Sequence, residues 1–363
     1  MQELKSKPES KPESKPVASE YATEPAGETS AAGTKNDELL KLENLSINYK
    51  VHDGYLSAVN HVNMTIRKGE IFAVVGESGC GKSTVAHSIL RLLPNKGTKI
   101  TGKILFKGQD LSTFNEKQIE KVRGRQIGMI FQNPLDSLNP VYRVGTQVEE
   151  AILLDNPDKA AAKKKTVSLF RDVRLPDAEL RAESYPHELS GGMRQRVMIA
   201  MMLSRTPELL IADEPTTALD VTIEAQILDI LKRLKNTYGT SIMLITHNFG
   251  LVAEIADRIG VMYAGEMVET GDVFEIFRNP KHPYTKLLMQ ALPRRSKKEG
   301  RLKTIDGMVP RITDDKPCCR FANRCPSASE RCFKESPAAV DFGNGHICRC
   351  FEAEGAESVK VNG

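Results

Sequence analysis

A glycine-rich loop between an apolar strand and a helix constrains this chain more than any other feature. Residues Gly76–Thr84 read Gly-Glu-Ser-Gly-Cys-Gly-Lys-Ser-Thr and fit the pattern G-x-x-x-x-G-K-[ST]. The apolar run Ile71–Val75 precedes this loop, and the apolar-periodic segment Ser83–Leu93 follows it. In such a loop the glycines let backbone N–H groups surround phosphates, and the helix presents its positive end. The sequence therefore predicts a site for a nucleoside triphosphate.

The residues of this phosphate loop have separate expected roles. Lys82 should reach the β- and γ-phosphates, and Ser83 should ligate Mg²⁺. Cys80 is given no catalytic role, because a small tolerated side chain explains it. The residues expected at the nucleotide are Gly76, Ser78, Gly79, Cys80, Gly81, Lys82, Ser83 and Thr84.

Two acids follow a second apolar strand, Leu209–Ala212. Side chains alternate along a strand, so Asp213 and Glu214 reach one site only if the chain turns, which Pro215 favours. Alone, such a pair is more often a helix cap. Together with the phosphate loop it predicts Asp213 in the Mg²⁺ shell and Glu214 polarising the attacking water, since phosphoryl transfer needs mainly positioning and charge stabilisation.

The order of segments predicts an α/β fold with a parallel sheet, because strands alternate with helices. Predicted strands are Leu42–Tyr49, Ala58–Ile66, Ile71–Val75, Leu209–Ala212, Ser241–Thr246 and Ile259–Tyr263. Predicted helices are Ser83–Leu93, Lys163–Arg171, Arg194–Leu203 and Ile223–Thr237. A helical subdomain over about 133–203 is predicted as an insertion into this core.

Composition excludes several classes of protein. The 363 residues carry 51 Lys+Arg against 47 Asp+Glu, without the clustered basic stripe of a nucleic-acid-binding protein. The longest apolar run, Val197–Leu203, is far below the roughly 20 residues of a membrane-spanning helix. The N-terminus has no apolar segment behind its charges, so no secretory signal is expected.

The first 38 residues are predicted to be a disordered leader. Lys7-Pro8-Glu9-Ser10 repeats as Lys11-Pro12-Glu13-Ser14, and large apolar side chains are nearly absent from residues 1–36. Such a segment buries too little surface to offset its ordering entropy. A tether or docking tail is the functional alternative to a solvated leader.

A second helix start also has the features of an anion site. Ser190 is a suitable N-cap, and Gly191 and Gly192 allow a ligand to approach the backbone closely. Two such helix starts do not readily serve one nucleotide unless they come from different molecules. This arrangement indicates a dimer that encloses nucleotide between its subunits.

Taken together, these residues resemble the ATP-binding cassette (ABC) ATPases. Leu189–Gln195 resembles their signature motif, while Gly76–Thr84 and the pair Asp213 and Glu214 match Walker A and Walker B. Further similar positions are Tyr49 (adenine-stacking aromatic), Gln132 (Q-loop), Thr217-Ala218-Leu219-Asp220 (D-loop) and His247 (switch histidine). The elements keep the family's order over roughly residues 40–275.

The resemblance implies a P-loop NTPase core of RecA-like type and a head-to-tail dimer. Each ATP would lie between one Walker A loop and the partner's Ser190–Gly192. The implied catalytic residues are Glu214, His247 and Gln132, and the implied Mg²⁺ shell is Ser83, Gln132 and Asp213. Gln132 would also sense the γ-phosphate and couple to the membrane subunits. Asn248 stands where these subunits usually carry Asp, and activity is expected to survive this departure.

Six of the seven cysteines lie between Cys318 and Cys350, and the seventh is Cys80. Clustered thiols bind zinc or an iron–sulfur cluster, or form disulfides. The usual short C-x₂-C knuckle of zinc sites is missing, and nothing indicates export to an oxidising compartment. Chemistry alone favours a metal without identifying it.

Two segments of the tail resemble the C-terminal extension of oligopeptide and dipeptide importer ATPases. These are His282–Leu288 and Cys319–Pro326. In that family four cysteines bind a [4Fe–4S] cluster, and the matching positions are Cys319, Cys325, Cys332 and Cys350. Cys318 and Cys348 are extra, and either could replace its neighbour. Zinc is the alternative, and the basic run Arg294–Lys298 is expected to be a linker rather than a lipid contact.

The function implied by the resemblance is that of the ATPase subunit of a bacterial peptide importer. Its expected partners are two permease subunits, a paralogous ATPase and an extracytoplasmic peptide-binding protein, with no nucleic acid. It would lie at the cell membrane, peripherally on the cytoplasmic side. The expected layout is a leader (1–38), the cassette (39–275), an extension with the cysteine cluster (276–351) and a flexible tail (352–363).

Three alternatives stay open from the sequence. Relatives of similar architecture carry nickel or other small solutes, because the ATPase itself does not touch the cargo. A soluble ABC ATPase acting on nucleic acid or ribosomes is a different class, but such proteins usually have two cassettes or a long coiled coil. An iron–sulfur redox protein is disfavoured by the complete set of ATPase motifs.

Overall fold

The parallel part of the main sheet contains the phosphate-loop strand. The computed structural model describes residues 37–132, 137–217, 219–291, 305–313, 316–355 and 359–360. Leader residues 1–36, the linker Arg294–Lys298 and Ala218 lie outside this part of the chain. The strands are β1 (Glu38–Val51), β2 (Gly54–Arg67), β3 (Ile71–Val75), β4 (Thr98–Phe106), β5 (Gln109–Asp110), β6 (Ile127–Ile130), β7 (Leu209–Asp213), β8 (Ser241–Thr246), β9 (Arg258–Tyr263), β10 (Glu266–Asp272), β11 (Val340–Asp341), β12 (Ile347–Cys348) and β13 (Val359–Lys360).

Within the described residues the main sheet has nine strands in the order β13-β11-β12-β10-β9-β3-β8-β7-β6. Strands β9, β3, β8, β7 and β6 run parallel, as the sequence predicted. Parallel strands end at one edge, so the loops after β3, β6, β7 and β8 meet there. This edge carries the candidate site.

The strand β3 is buried on both faces because helices cover one side of the sheet and a second sheet covers the other. Ile71, Ala73 and Val75 belong to one apolar cluster, which includes side chains of the helices. Phe72 and Val74 belong to a second cluster, which they share with β1, β2 and β4. The alternation along β3 thus divides the core between two layers.

The second sheet is antiparallel, has the order β2-β1-β4-β5 and was not predicted as a separate layer. Its strands β1 and β2 form a long hairpin in which Val51 pairs with Gly54. Only the last part of β4 is buried, and its largely polar first six residues, Thr98–Lys103, have no strand-like apolar alternation. For this reason β4 was not predicted from the sequence.

Helices connect the parallel strands and fill the interval between β6 and β7. They are α1 (Lys82–Ile89), α2 (Glu116–Glu120), α3 (Val144–Leu153), α4 (Lys159–Asp172), α5 (Ala178–Ala182), α6 (Gly191–Leu203), α7 (Val221–Tyr238), α8 (Phe249–Ile255), α9 (Val273–Arg278) and α10 (Pro283–Gln290). Helices α3, α4 and α6 pack on one another. Helix α1 ends four residues before the predicted Leu93, and Arg91 then adopts a φ of 53°.

The C-terminal residues extend the main sheet rather than forming a separate layer. In β12, Cys348 pairs with Glu269 of β10, and Ile347 pairs with Thr270. Strand β11 pairs with β12 on its other side. Within the described residues no helix is both long and apolar enough to cross a membrane.

Candidate active site

The loop Gly76–Thr84 follows β3 and leads into α1, and its shape depends on glycine. Gly76, Gly79 and Gly81 have φ values of 155°, 78° and 103°. A Cβ at Gly76 would lie 2.2 Å from the Met262 carbonyl oxygen, and one at Gly81 would lie 2.5 Å from that of Ala58. Any other residue at these two positions would therefore clash and be strained.

Lys82, at the start of α1, reaches back across the loop. Its Nζ donates to the carbonyl oxygens of Gly76 and Glu77, at 2.8 and 3.0 Å. It also lies 3.9 Å from a carboxylate oxygen of Glu214. The ammonium is almost fully buried, so it provides concentrated positive charge where the loop would hold phosphates.

Ser83 and Asp213 meet although 130 residues separate them. The Ser83 hydroxyl donates to Oδ1 of Asp213 over 2.9 Å. Asp213 ends β7 and is buried, and this burial raises the pKa of its carboxyl while the hydrogen bond from Ser83 lowers it. The structure therefore brings together Ser83 and Asp213, two of the three residues expected to hold Mg²⁺.

Glu214 is the centre of a group of polar side chains from three loops. Its backbone turns immediately after β7, with a φ of 45°, and its N–H donates to the Ile245 carbonyl. Oε2 accepts hydrogen bonds from Gln132 at 3.1 Å and from Thr217 at 2.9 Å. Nδ1 of His247 lies 3.7 Å from the same oxygen. The turn directs Glu214 toward the phosphate loop, as the hypothesis based on Pro215 required.

Asn248 begins helix α8 directly after His247. Its side-chain oxygen caps the helix by accepting from the Gly250 N–H at 3.1 Å. Its Nδ2 donates to Oε2 of Glu224 over 3.4 Å, and Oε1 of the same carboxylate accepts from the Thr216 hydroxyl. An amide suits this position because it faces a carboxylate, which accounts for the absence of Asp here.

The residues expected to complete a partner's site lie apart from this group. Ser190 caps α6 by accepting from the Met193 N–H at 3.4 Å, and Ser190 and Gly191 are exposed. A Cβ at Gly192 would lie 2.8 Å from Ile223, so this helix start packs closely on α7. Of the other residues expected at the nucleotide, Tyr49 lies in β1 and is partly buried. In the phosphate loop, Ser78 is exposed, Cys80 is fully buried and Thr84 is half-buried.

Four tail cysteines line one cavity of about 280 Å³, and they are the four that the resemblance selected: Cys319, Cys325, Cys332 and Cys350. Cys348 is instead buried in β12. Burial raises the pKa of Cys319 to about 12 and also raises the pKa of Cys325 and Cys350. Burial therefore disfavours the thiolate forms of Cys319, Cys325 and Cys350.

No group of three or more His, Cys, Asp or Glu side chains in the described part of the chain converges as a metal site. A single zinc ion needs its ligands on one point, at about 2.0–2.3 Å. An iron–sulfur cluster fills a volume and takes its thiolates on separate irons. What the structure shows of this site is that Cys319, Cys325, Cys332 and Cys350 line one cavity.

Sequence reasoning missed two tail residues that contact the phosphate loop. The guanidinium of Arg324 forms two hydrogen bonds with the Glu77 carboxylate, at 2.7 and 3.0 Å. The Tyr284 hydroxyl accepts the Glu77 N–H at 3.1 Å. Both residues lie in motifs of the extension, but no local pattern links them to a loop more than 200 residues away.

The sequence matches two families. Residues 59–217 match the family described as "ABC transporter". Residues 268–332 match the one described as "Oligopeptide/dipeptide transporter, C-terminal region". The two matches lie one after the other along the chain.

Similar proteins align along most of the chain. A probable peptide ABC transporter ATP-binding protein of Sinorhizobium fredii is 46% identical over 322 residues, covering 88% of this chain and 96% of that protein. The dipeptide transport ATP-binding protein DppD of Bacillus subtilis is 44% identical, with 90% and 98% covered. The oligopeptide transport ATP-binding protein OppD of the same organism is 47% identical, with 86% and 88% covered.

Solved structures share the fold of the core. A dimeric ATP-binding cassette in a post-hydrolysis state, bound to ADP and Pi, aligns with a TM-score of 0.58 and 27% identity. It covers 65% of this chain and 99% of its own. A part of an ABC transporter complex from Clostridium perfringens aligns with a TM-score of 0.59 and 30% identity, covering 67% of this chain and 92% of its own.

Proposed function

The chain belongs to the ABC transporter ATP-binding proteins of the oligopeptide and dipeptide group, and we propose that it hydrolyses ATP to drive peptide uptake through associated permease subunits. The observation that carries this proposal is the meeting of Glu214, Gln132 and His247 beside the pair Ser83 and Asp213. The naming of the relatives as dipeptide and oligopeptide transport proteins supports the substrate class.

The chain's own groups have distinct parts in hydrolysis. Lys82 and the loop amides hold the phosphates, and Ser83, Asp213 and Gln132 would hold Mg²⁺, which neutralises phosphate charge when bound. Glu214 orients and polarises the attacking water, and His247 contacts the γ-phosphate. Gln132 and Thr217 fix Oε2 of Glu214 by donating to it, and Oε1, which lies 3.9 Å from Lys82 Nζ, is the oxygen assigned to the water.

The substitution Glu214→Gln tests this assignment. It keeps the shape of the side chain but removes the charge that polarises water, so we expect kcat to fall roughly 100- to 10,000-fold. Nucleotide binding should be retained and the closed dimer favoured. In the variant assembled with its permease, ATPase assays measure kcat and nucleotide titration measures binding.

Glu208→Gln is the matched control, because Glu208 is an exposed carboxylate paired with Lys107. It should leave turnover unchanged. Near-normal hydrolysis by Glu214→Gln would remove Glu214 from its proposed role.

The active form is a head-to-tail dimer in which Ser190–Gly192 of one subunit completes the other's ATP site. The exposed start of α6 supports this arrangement. The dimeric state of the solved cassette also supports it. A paralogous ATPase is the proposed partner, and cross-linking of cysteines introduced at Ser190 and at the partner's phosphate loop, trapped by ATP, would test the pairing.

The assembly is proposed to contain two transmembrane permeases and an extracytoplasmic peptide-binding protein. The chain lies peripherally on the cytoplasmic side of the cell membrane. Uptake of labelled di- and oligopeptides by cells with and without this chain tests the cargo. Loss of nickel uptake with unchanged peptide uptake would contradict the peptide assignment.

The domain layout is proposed as a leader (1–38), the cassette (39–275), the extension (276–351) and a short tail (352–363). The helical subdomain covers about 133–203. The family match beginning at residue 268 supports an extension distinct from the cassette. Deletion of the leader should leave ATP hydrolysis unchanged, whereas deletion of the extension should not.

A [4Fe–4S] cluster in the cysteine cavity is proposed as a structural or sensing group. The four thiols that line this cavity, Cys319, Cys325, Cys332 and Cys350, support the proposal. Anaerobically purified protein should contain about four iron and four sulfide per chain. Cys325→Ser should lose the iron, whereas Cys348→Ser is the matched control and should keep it. Stoichiometric zinc without sulfide would overturn the cluster.

A further inference from the structure

We propose that Arg324 and Tyr284 of the C-terminal segment (residues 276–351) are positioning residues for ATP, because they hold Glu77 of the phosphate loop. This inference rests on ATP binding at the phosphate loop, but not on transport, on hydrolysis or on the cysteine cavity. Arg324 neutralises the carboxylate of Glu77, and the Tyr284 hydroxyl orients the backbone N–H of Glu77.

The contact between Arg324 and Glu77 is a paired, largely buried ion pair. Both terminal nitrogens of Arg324 donate to the two carboxylate oxygens, at 2.7 and 3.0 Å. The Arg324 side chain is 6% exposed and that of Glu77 28%. Such two-point contacts between a guanidinium and a carboxylate are stronger and more directional than neutral hydrogen bonds.

The surroundings hold Arg324 in place. Its Nε donates to the Asp306 carbonyl at 2.8 Å, and its guanidinium stacks over the ring of Tyr263, 5.7 Å from the ring centroid. Tyr263 itself packs edge-on against Tyr284, with ring centroids 4.7 Å apart. A preorganised side chain loses little further entropy when it pairs with Glu77.

Tyr284 fixes the first part of the loop by a different contact. Its hydroxyl accepts the backbone N–H of Glu77, and its ring is fully buried. Backbone N–H groups of a phosphate loop otherwise point to the ligand. The hydroxyl therefore sets the direction of the peptide from Gly76 to Glu77.

Charge explains why the pair matters for ATP. Glu77 places a carboxylate in a loop that must receive a triphosphate, and like charges repel strongly where water is limited. Arg324 neutralises that carboxylate. Without Arg324 the uncompensated charge of Glu77 should weaken ATP binding, and without the charge of Glu77 the loss of Arg324 should matter little.

A double-mutant cycle with full-length protein tests this coupling. The measured quantity is the dissociation constant of a fluorescent ATP analogue with Mg²⁺. R324Q should weaken binding about 5- to 20-fold, as expected for a lost charge-assisted pair. E77Q should change the dissociation constant by no more than about threefold. Adding R324Q to E77Q should change the dissociation constant by less than about a further twofold.

Steady-state kinetics provide a second measurement. R324Q should raise KM for ATP while kcat stays within about twofold, because the lost interaction acts on binding before chemistry. R324K, which keeps the charge, should recover most of the affinity. Y284F removes one oxygen without touching Arg324 and should raise KM about two- to fivefold.

R331Q is the matched control. Arg331 lies in the same segment and pairs with Glu335 and Glu354, away from the loop. R331Q should leave the affinity for ATP unchanged. Wild-type affinity in R324Q, or the same loss from R324Q with and without E77Q, would overturn the proposal. If R324Q does not fold, Y284F decides the proposal, and wild-type affinity of Y284F for the fluorescent ATP analogue would overturn it.

Discussion

The residue with the most demanding backbone in the active site is Glu214. Its φ of 45° is a left-handed conformation that costs a non-glycine residue roughly 1–3 kcal/mol. The hydrogen bond from its N–H to Ile245 and the acceptor contacts of its side chain hold this conformation. The backbone is strained at this residue because it must turn away from strand β7 for the carboxylate to face the phosphate loop.

The contact between Asn248 and Glu224 predicts the effect of restoring the family's usual residue. Asn248→Asp would keep the cap of α8, because Asp is as good a cap as Asn. It would also place two carboxylates about 3.4 Å apart. We expect a loss of roughly 0.5–1 kcal/mol in the free energy of unfolding at pH 7, since the site is only partly buried.

Thermal unfolding at low and high salt measures this effect, because salt screens the repulsion. The double variant Asn248→Asp with Glu224→Gln should recover the wild-type stability. An unchanged melting temperature in the single variant would show that the two side chains separate freely.

Local motifs made the residues of the phosphate site predictable. Lys82, Ser83, Asp213 and Glu214 each stand at a fixed place after a buried strand, so their roles follow from short patterns. The contact between Arg324 and Glu77 joins residues 247 positions apart, and although each residue lies in a motif, no local pattern links the two. Such contacts arise from tertiary packing and are visible only in the folded chain.

At the scale of single elements, helix α10 begins with a buried histidine cap. Nδ1 of His282 accepts the Tyr284 N–H at 3.0 Å, which requires the neutral ring. The pKa of His282 is lowered to about 4, mainly by burial, which Glu269 opposes and Lys286 reinforces. A cap that must stay neutral makes the start of this helix sensitive to acid.

The sign of this sensitivity follows from the lowered pKa. The contribution of His282 is complete above the unfolded pKa of about 6.5, and it is lost as pH falls toward 4. A shift of this size corresponds to about 3 kcal/mol. We expect the free energy of unfolding to fall by about this amount across that interval, as measured by urea unfolding at several pH values.

His282→Asn should remove this part of the pH dependence, because Asn caps through an oxygen that does not titrate there. His52→Asn is the control, since His52 is exposed, and it should keep the wild-type pH profile. An equally steep profile in His282→Asn would assign the acid sensitivity to other groups.

Burial on both faces decided which strands could be predicted. Strand β3 is a continuous apolar run and β8 is an apolar run between Ser241 and Thr246, and every residue of both is buried, so their predicted and observed bounds agree. Strand β6 is also fully buried, but it has only four residues and contains Gly128, whereas more than half of β4 is exposed. Pairing with neighbours, which the local sequence does not encode, determines these strands.

At the scale of the whole molecule, the C-terminal segment and the cassette share one sheet. Glu269 of β10 is buried and accepts from the backbone of Lys281 and His282, and it also contacts Nε2 of His346 at 2.8 Å. Strand β12 pairs with β10 at the same place. Separating the two parts would leave a buried carboxylate without its partners, which is costly.

This continuity predicts one cooperative unfolding transition. Labelling of Cys348, which is fully buried in β12, should begin at the same urea concentration as the loss of helical circular dichroism. ATP added to Glu214→Gln should move both transitions together, because ligand binding stabilises the whole cooperative unit. Mass spectrometry of labelled peptides measures the reaction at Cys348.

Labelling of Cys348 well before the circular dichroism change would show that the C-terminal segment unfolds independently. The reference thiol is Cys80, which is equally buried but lies in the phosphate loop. Coincident labelling of the two thiols is the expected result.

The link between Glu77 and Arg324 has a consequence for how the protein is made. The ribosome adds about 5–20 residues per second, so Arg324 emerges some 12–50 s after Glu77. During translation the strands around the phosphate loop can pair while the carboxylate of Glu77 still lacks its counter-charge. The nascent chain should therefore acquire full affinity for ATP only when its last segment leaves the exit tunnel.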